Sequence, residues 1–115
     1  MQNKNEIALE KNKSVIVLNI QGDITSFSEP FLNQAYKDAN DRGTDKLLLN
    51  LQEGAYINSG GIAVLIQILA QTKKNNQQIS ITGLSEHFKK IFNMVGITKF
   101  ADIHKDVESA ITAMS

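Results

Sequence analysis

Short apolar runs alternate with longer segments of helical periodicity, and this alternation limits the possible folds more than any other feature of the chain. Three of the runs are rich in leucine and β-branched residues, as buried strands are. They are residues 14–20 (SVIVLNI), 46–51 (KLLLNL) and 79–81 (ISI). A segment of helical character follows each run. The sequence therefore predicts an α/β fold with parallel strand pairs.

Weaker patterns complete the order of elements. Residues 6–10 alternate in polarity and predict a short edge strand, and residues 100–103 predict a short last strand. Helices are predicted to begin at Ser28-Glu29-Pro30, at residues 58–61, at Ser85-Glu86 and at Asp106, and the last of them runs to Met114. A chain of 115 residues has room for one such domain, spanning residues 1–115.

Charge and cysteine content argue against several functional classes. The chain has 12 basic and 12 acidic residues and no cysteine. The zero net charge argues against nucleic-acid binding and against attachment to anionic membranes by charge. The lack of cysteine excludes disulfides, thiol catalysis and thiolate zinc sites. Because no apolar run approaches the roughly 20 residues of a membrane span and no signal peptide is apparent, we expect a cytoplasmic protein.

The turn after the 46–51 run carries the candidate chemistry. Asn58-Ser59-Gly60-Gly61 stands at the start of an apolar helix, where free N–H groups and the helix dipole favour a negatively charged group. The glycines lack side chains that would block a bound anionic group from the backbone. A nucleotide-binding P-loop would need Lys-Ser/Thr after them, which Ile62-Ala63 do not provide. Phosphate carried covalently on Ser59 and Ser59 as a simple helix cap both remain open.

The helix that follows has two apolar stripes. At about 100° per residue, one stripe is predicted to face the sheet. It consists of Ile62, Leu65, Ile66 and Leu69. Val64 and Ile68 fall on nearly the opposite side. Neighbouring helices bury this second stripe, or it is an exposed patch that binds a partner.

Three stretches of the chain, in the right order and together spanning nearly all of it, resemble the STAS domain of anti-sigma factor antagonists. Residues 48–51 (LLNL), Tyr56 and residues 58–63 (NSGGIA) are similar to the family's strand, aromatic residue and Asp-Ser-Ser-Gly-Leu-Gly motif. Residues 21–24 (QGDI) resemble its Gly-Glu-Leu/Ile-Asp segment. Residues 79–100 resemble its late strand and the helix that follows.

The resemblance implies both a fold and a function. The fold would be a small central mixed sheet of four to five strands, with helices packed mainly on one face. The unmodified protein would bind an anti-sigma factor that is also a serine kinase, Ser59 would accept its phosphoryl group, and a PP2C-type phosphatase would remove it. Such a protein is not an enzyme and needs no cofactor or metal. The partner-binding residues would be Asp23, Thr25, Asn58, Ser59, Gly60 and Gly61, with Val64 and Ile68 added from the second stripe.

The chain departs from the family's pattern at three positions. Asn58 and Thr25 stand where aspartates are usual, and Gly60 replaces the second serine. A phosphate on Ser59 would therefore meet less negative charge. One alternative is a regulatory or scaffold STAS module of a signalling complex or lipid transporter, with no sigma factor involved. Another is a small enzyme that uses the anion site, but no general base lies nearby in the sequence.

Overall fold

Five strands form a single sheet in the computed structural model, which describes residues 5–115. The strands are β1 (Glu6–Asn12), β2 (Val15–Gln21), β3 (Lys46–Leu51), β4 (Gln78–Thr82) and β5 (Asp102–His104). The helices are α1 (Glu29–Asp41), α2 (Ser59–Lys74), α3 (Glu86–Met94) and α4 (Val107–Met114), with 3-10 turns at Ser26–Ser28 and Ile97–Lys99. The strands lie side by side in sequence order, with β1 antiparallel to β2 and the other pairs parallel.

Alternate residues of the strands supply two separate hydrophobic cores, since successive side chains of a strand point to opposite faces. On one face, Ile16, Leu18 and Ile20 of β2 belong to the large core that α1, α2 and α3 cover. On the other face, Val15 and Val17 of β2 belong to a smaller core closed by α4. Three helices on one face and one on the other confirm the predicted mixed sheet with helices mainly on one face.

The parallel strands give the molecule two distinct ends. Each helix begins after the carboxyl end of a strand and returns to the edge where the strands begin. The loop between β2 and α1 and the loop between β3 and α2 are neighbours because β2 and β3 are paired. In α/β sheets this edge is where binding sites usually lie.

The predicted order of elements is confirmed, with one difference at the start of α1. Ser28 occupies the N-cap position, but its side chain makes no capping bond to α1. It closes a capping box in the preceding turn: the backbone N–H of Thr25 donates to Ser28 Oγ at 3.0 Å, and Phe27 N–H donates to Thr25 Oγ1 at 3.1 Å. Of the helices within residues 5–115, none has the length and apolar character to cross a membrane.

Candidate functional site

Besides the 2.8 Å bond from Gly22 N–H to Gln52 Oε1, three hydrogen bonds join the loops after β2 and β3. Ile24 N–H donates to the Tyr56 carbonyl at 2.9 Å, and Asn58 N–H donates to the Ile24 carbonyl at 3.1 Å. Asp23 Oδ1 accepts a third bond from Tyr56 N–H at 3.0 Å. These bonds hold the two loops as one unit beside the start of α2. Asp23, predicted at a partner surface, thus has a positioning role here.

Asn58 is the N-cap of α2. Its backbone is extended (φ −91°, ψ 179°), and its Oδ1 accepts from Gly61 N–H at 2.8 Å. Ser59 is the first helical residue, so the alternative in which Ser59 caps the helix is wrong. The physical reason is that a capping side chain must leave an extended backbone to reach back to the third helical N–H, and that residue is Asn58.

Gly60 and Gly61 allow the two loops to approach closely. A Cβ on Gly61 would lie 2.1 Å from the Ile24 carbonyl oxygen, and one on Gly60 would lie 3.0 Å from Ser26 Cβ. Gly61 is buried in this contact. The expectation that both glycines leave open access for a visitor is therefore wrong for Gly61, whose missing side chain makes room for the neighbouring loop.

The Ser59 side chain is exposed at the first position of α2. Within residues 5–115, neither its hydroxyl nor the backbone N–H groups of Ser59 and Gly60 hydrogen-bond to the protein. These are the donors that a helix leaves unsatisfied at its start. The arrangement therefore presents a free hydroxyl beside free N–H donors and the positive end of the helix dipole.

Two exposed aromatic side chains accompany Ser59. Phe27, in the loop that contacts Gly60, is 62% exposed, and Tyr56, two residues before the cap, is 59% exposed. The Tyr56 ring lies edge-on to Phe88 at 5.9 Å between centroids. Phe27 was not predicted from the sequence, although an aromatic residue within the polar segment 22–28 is a usable signal. The pair gives the surface around Ser59 apolar area suited to a protein partner.

The second stripe of α2 is buried. Val64 and Ile68 are 3% and 2% exposed, so the hypothesis that they form an exposed partner surface is wrong. The tight contact of Gly61 with Ile24 turns the Gly61 face of α2 toward the core. Residues three, four, seven, eight and eleven positions after Gly61 lie on the same face and are buried with it. The buried residues of α2 are accordingly Gly61, Val64, Leu65, Ile68, Leu69 and Thr72.

Ile66, predicted to face the sheet, is instead 41% exposed, because it lies on the opposite side of α2 from Gly61.

Histidine and carboxylate side chains in the part of the chain that the structure describes form no group of three or more that could hold a metal ion.

A family model described as the STAS domain matches residues 6–110. The chain belongs to the STAS domain family. It is 26% identical over 105 residues to the anti-sigma-B factor antagonist of Bacillus subtilis strain 168, an alignment that covers 91% of this chain and 95% of that protein. It is 20% identical over 89 residues to the anti-sigma-B factor antagonist of Staphylococcus aureus strain NCTC 8325, covering 77% of this chain and 82% of that protein.

Solved structures have the same STAS fold. An anti-sigma factor antagonist from Mycobacterium paratuberculosis superposes with a TM-score of 0.77 at 20% identity, covering 95% of this chain and 92% of that one. The phosphorylated form of the Bacillus cell fate determinant SpoIIAA superposes with a TM-score of 0.65 at 13% identity, covering 96% and 100%. These likenesses confirm the predicted STAS architecture.

The three departures from the usual STAS motif have local structural explanations. Asn58 caps α2 and Thr25 caps the 3-10 turn, bonds that an aspartate would also accept. Each replacement therefore keeps the cap and removes a charge. A serine at Gly60 would crowd Ser26, whose Cβ and N lie 3.0 and 3.1 Å from the position of the missing Cβ.

Proposed function

We propose that this STAS protein is an anti-sigma factor antagonist whose binding is controlled by phosphorylation of Ser59. The unmodified protein binds an anti-sigma factor that is also a serine kinase. Phosphorylation of Ser59 ends that binding, and a PP2C-type phosphatase restores it. The names of the curated relatives and the extent of the alignments support the anti-sigma partner.

One observation carries the proposal: the Ser59 hydroxyl is exposed and has no part in capping α2, because Asn58 provides the cap. A kinase can therefore modify Ser59 without removing a bond that the fold uses. The new phosphate would lie next to the free N–H groups of Ser59 and Gly60, which together with the helix dipole stabilise negative charge.

The phosphate weakens the binding of the partner rather than the folding of the domain. Phosphoserine carries a charge of about −1.5 to −2 at neutral pH. A partner docked on the exposed rings of Phe27 and Tyr56 would cover Ser59 and would have to desolvate the dianion or meet it with its own charge. The modified protein keeps its shape and loses affinity.

The test compares Ser59→Asp with Ser59→Ala in binding to the anti-sigma factor by calorimetry. We expect the Asp variant to bind at least about tenfold more weakly, a difference of about 1.4 kcal/mol. The Ala variant should bind like the wild type and resist the kinase. Ser14→Asp is the matched control, because it adds the same charge to an exposed serine at the other end of the molecule. Circular dichroism of all four proteins should agree.

Aspartate carries only about half the charge of phosphoserine, so the comparison is repeated with enzymatically phosphorylated protein. Equal affinity of the phosphorylated protein and the Ala variant would overturn the switch. It would leave an anti-sigma factor antagonist that binds constitutively, whereas a lack of binding to the anti-sigma factor would favour the scaffold alternative.

A further inference from the structure

The zero net charge of the chain conceals a separation of charge between the two ends of the molecule. The acidic end comprises the loops after β2, β3, β4 and β5 and the first turns of the helices. Its acidic residues include Asp23, Glu29, Glu53, Glu86, Asp106 and Glu108, against the basic Lys89 and Lys105, of which Lys89 is paired with Glu86 at 3.1 Å. Acidic residues in first turns also complement the helix dipoles.

The opposite, basic end comprises the β1–β2 hairpin, the last turns of α1 and α2, and the segment between α3 and β5. Its basic residues include Lys11, Lys13, Arg42, Lys73, Lys74 and Lys99. The acidic residues there are Asp38, Asp41, Asp45 and Asp102, of which Asp41 is paired with Lys37 at 3.2 Å. Positive charge therefore predominates at this end.

Exposed apolar side chains project from the same end. Met94 is 82% exposed, Val95 is 50% exposed and Phe100 is 44% exposed. Lys73 Nζ lies 5.1 Å from the centre of the Phe100 ring, which brings the end of α2 against this apolar tip. Three lysines thus lie beside these apolar residues: Lys73, its neighbour Lys74, and Lys99 in the adjoining turn.

We propose that the basic end binds the surface of an anionic lipid bilayer, with Met94, Val95 and Phe100 in the headgroup region. Lysines beside exposed apolar residues are typical of interfacial binding, since the ammonium groups attract anionic headgroups while apolar area leaves water. A second copy of the chain that docked through its own basic end would bring like charges together. Met94 is 82% exposed and so has little contact with the rest of the protein, which favours a deformable lipid surface over the side chains of an acidic protein.

The lipid surface and Ser59 lie at opposite ends of α2. Lys74 lies fifteen positions after Ser59, which is about 22 Å along a helix. This distance exceeds the Debye length of about 8 Å at physiological ionic strength. Bilayer binding would leave Ser59 exposed to other proteins, and the proposal stands whether or not Ser59 is phosphorylated.

The test is cosedimentation of the protein with vesicles of phosphatidylcholine alone or of an equimolar mixture with phosphatidylglycerol. We expect the partition coefficient to be at least about tenfold higher on the anionic vesicles and to fall as salt is added. Ser59→Asp should leave it unchanged, since the new charge lies at the far end of α2.

Two pairs of variants test the assignment. The triple variant Lys73→Gln, Lys74→Gln, Lys99→Gln should lose most of the binding. The triple variant Ser59→Asp, Lys89→Gln, Lys105→Gln lowers the net charge by the same amount but changes only the acidic end, and it should retain binding. Met94→Ser should weaken binding severalfold, whereas Phe27→Ser, which changes an exposed residue at the acidic end, should not.

Several results would overturn the proposal. They are the absence of vesicle binding, equal partition on both kinds of vesicle, and equal losses in the two triple variants. Retained binding by Met94→Ser together with tight binding of a polyglutamate peptide would point to an acidic protein partner instead. Concentration-dependent assembly in sedimentation velocity that the first triple variant abolishes would assign the basic end to a second copy of the chain.

Discussion

Adjacent residues at the start of α2 have separate tasks. Asn58 satisfies a backbone donor of the helix, and Ser59 presents an exposed hydroxyl. Local sequence patterns place both residues at a helix start, but serine and asparagine are equally good caps. Which of them caps depends on which backbone is extended, and the hydrogen bonds between the two loops determine that. The position of Ser59 was therefore predictable, whereas its freedom from capping was not.

Substitution at each position separates the two tasks. We expect Asn58→Ala to lower the free energy of unfolding by about 1 kcal/mol, because Gly61 N–H loses its acceptor. Ser59→Ala should change it by no more than about 0.5 kcal/mol, as exposed substitutions usually do. Urea denaturation of the two variants measures both values. A larger loss for Ser59→Ala than for Asn58→Ala would contradict the assignment of the cap.

At the scale of elements, the rotation of α2 follows from one contact far from its middle. Periodicity correctly indicates an apolar helix, but α2 is apolar over more than half its circumference, so several orientations suit the pattern equally. Gly61 selects among them because only that residue can face Ile24. A single sequence does not reveal this constraint, since nothing near Gly61 indicates which loop will pack on it.

A pair of lysine substitutions on α2 tests this orientation. Ile68→Lys should unfold the protein or lower its stability by several kcal/mol, because it places an unpaired charge in the core. Ile66→Lys, two residues earlier and 41% exposed, should change stability by less than about 1 kcal/mol. Thermal denaturation gives both results. Similar losses in the two variants would show that the buried face of α2 is placed wrongly.

The cap of α4 depends on pH in a defined direction. The hydrogen bond from Ser109 N–H to Asp106 Oδ1, 2.8 Å long, lowers the pKa of the Asp106 carboxyl below its ordinary value of 3.8. A lowered folded-state pKa means that the cap contributes fully above the ordinary value and is lost as pH falls through the folded value.

We expect the NMR chemical shift of the Ser109 amide proton to follow the titration of the Asp106 carboxyl, with a midpoint below pH 3.8. In Asp106→Asn, the side-chain oxygen still accepts the hydrogen bond but the side chain does not titrate. The pH dependence of the Ser109 chemical shift in this range should therefore disappear. A wild-type midpoint at or above the ordinary value would contradict the stabilising role of this carboxylate.

At the scale of the whole molecule, the order of elements was predictable because each strand and helix has its own local pattern. The separation of charge was not apparent from composition, since net charge ignores position. It arises because each helix runs opposite to the parallel strands and returns to the same edge of the sheet. A zero net charge therefore does not exclude the attachment of one end of the molecule to an anionic membrane.

The smaller core makes the whole fold depend on α4. A chain ending at Lys105 would expose Val15, Val17 and Leu48, each of which is now fully buried. Burying one such side chain contributes about 1.5–3 kcal/mol, so we expect a loss of at least about 4 kcal/mol. Urea denaturation measures the loss, with a chain ending at Met114 as the control. An unchanged midpoint in the shorter chain would contradict the role of α4.

The outer strands of the sheet have a consequence for aggregation. β1 presents Glu6 and Glu10 on its exposed positions and Lys11 beside them, and β5, at the opposite edge, is only three residues long. Charged side chains and short length are the features by which sheet proteins prevent strands of other molecules from adding to their edges. Both edges are therefore poor templates for an added strand, and we expect the native form to resist edge-to-edge aggregation.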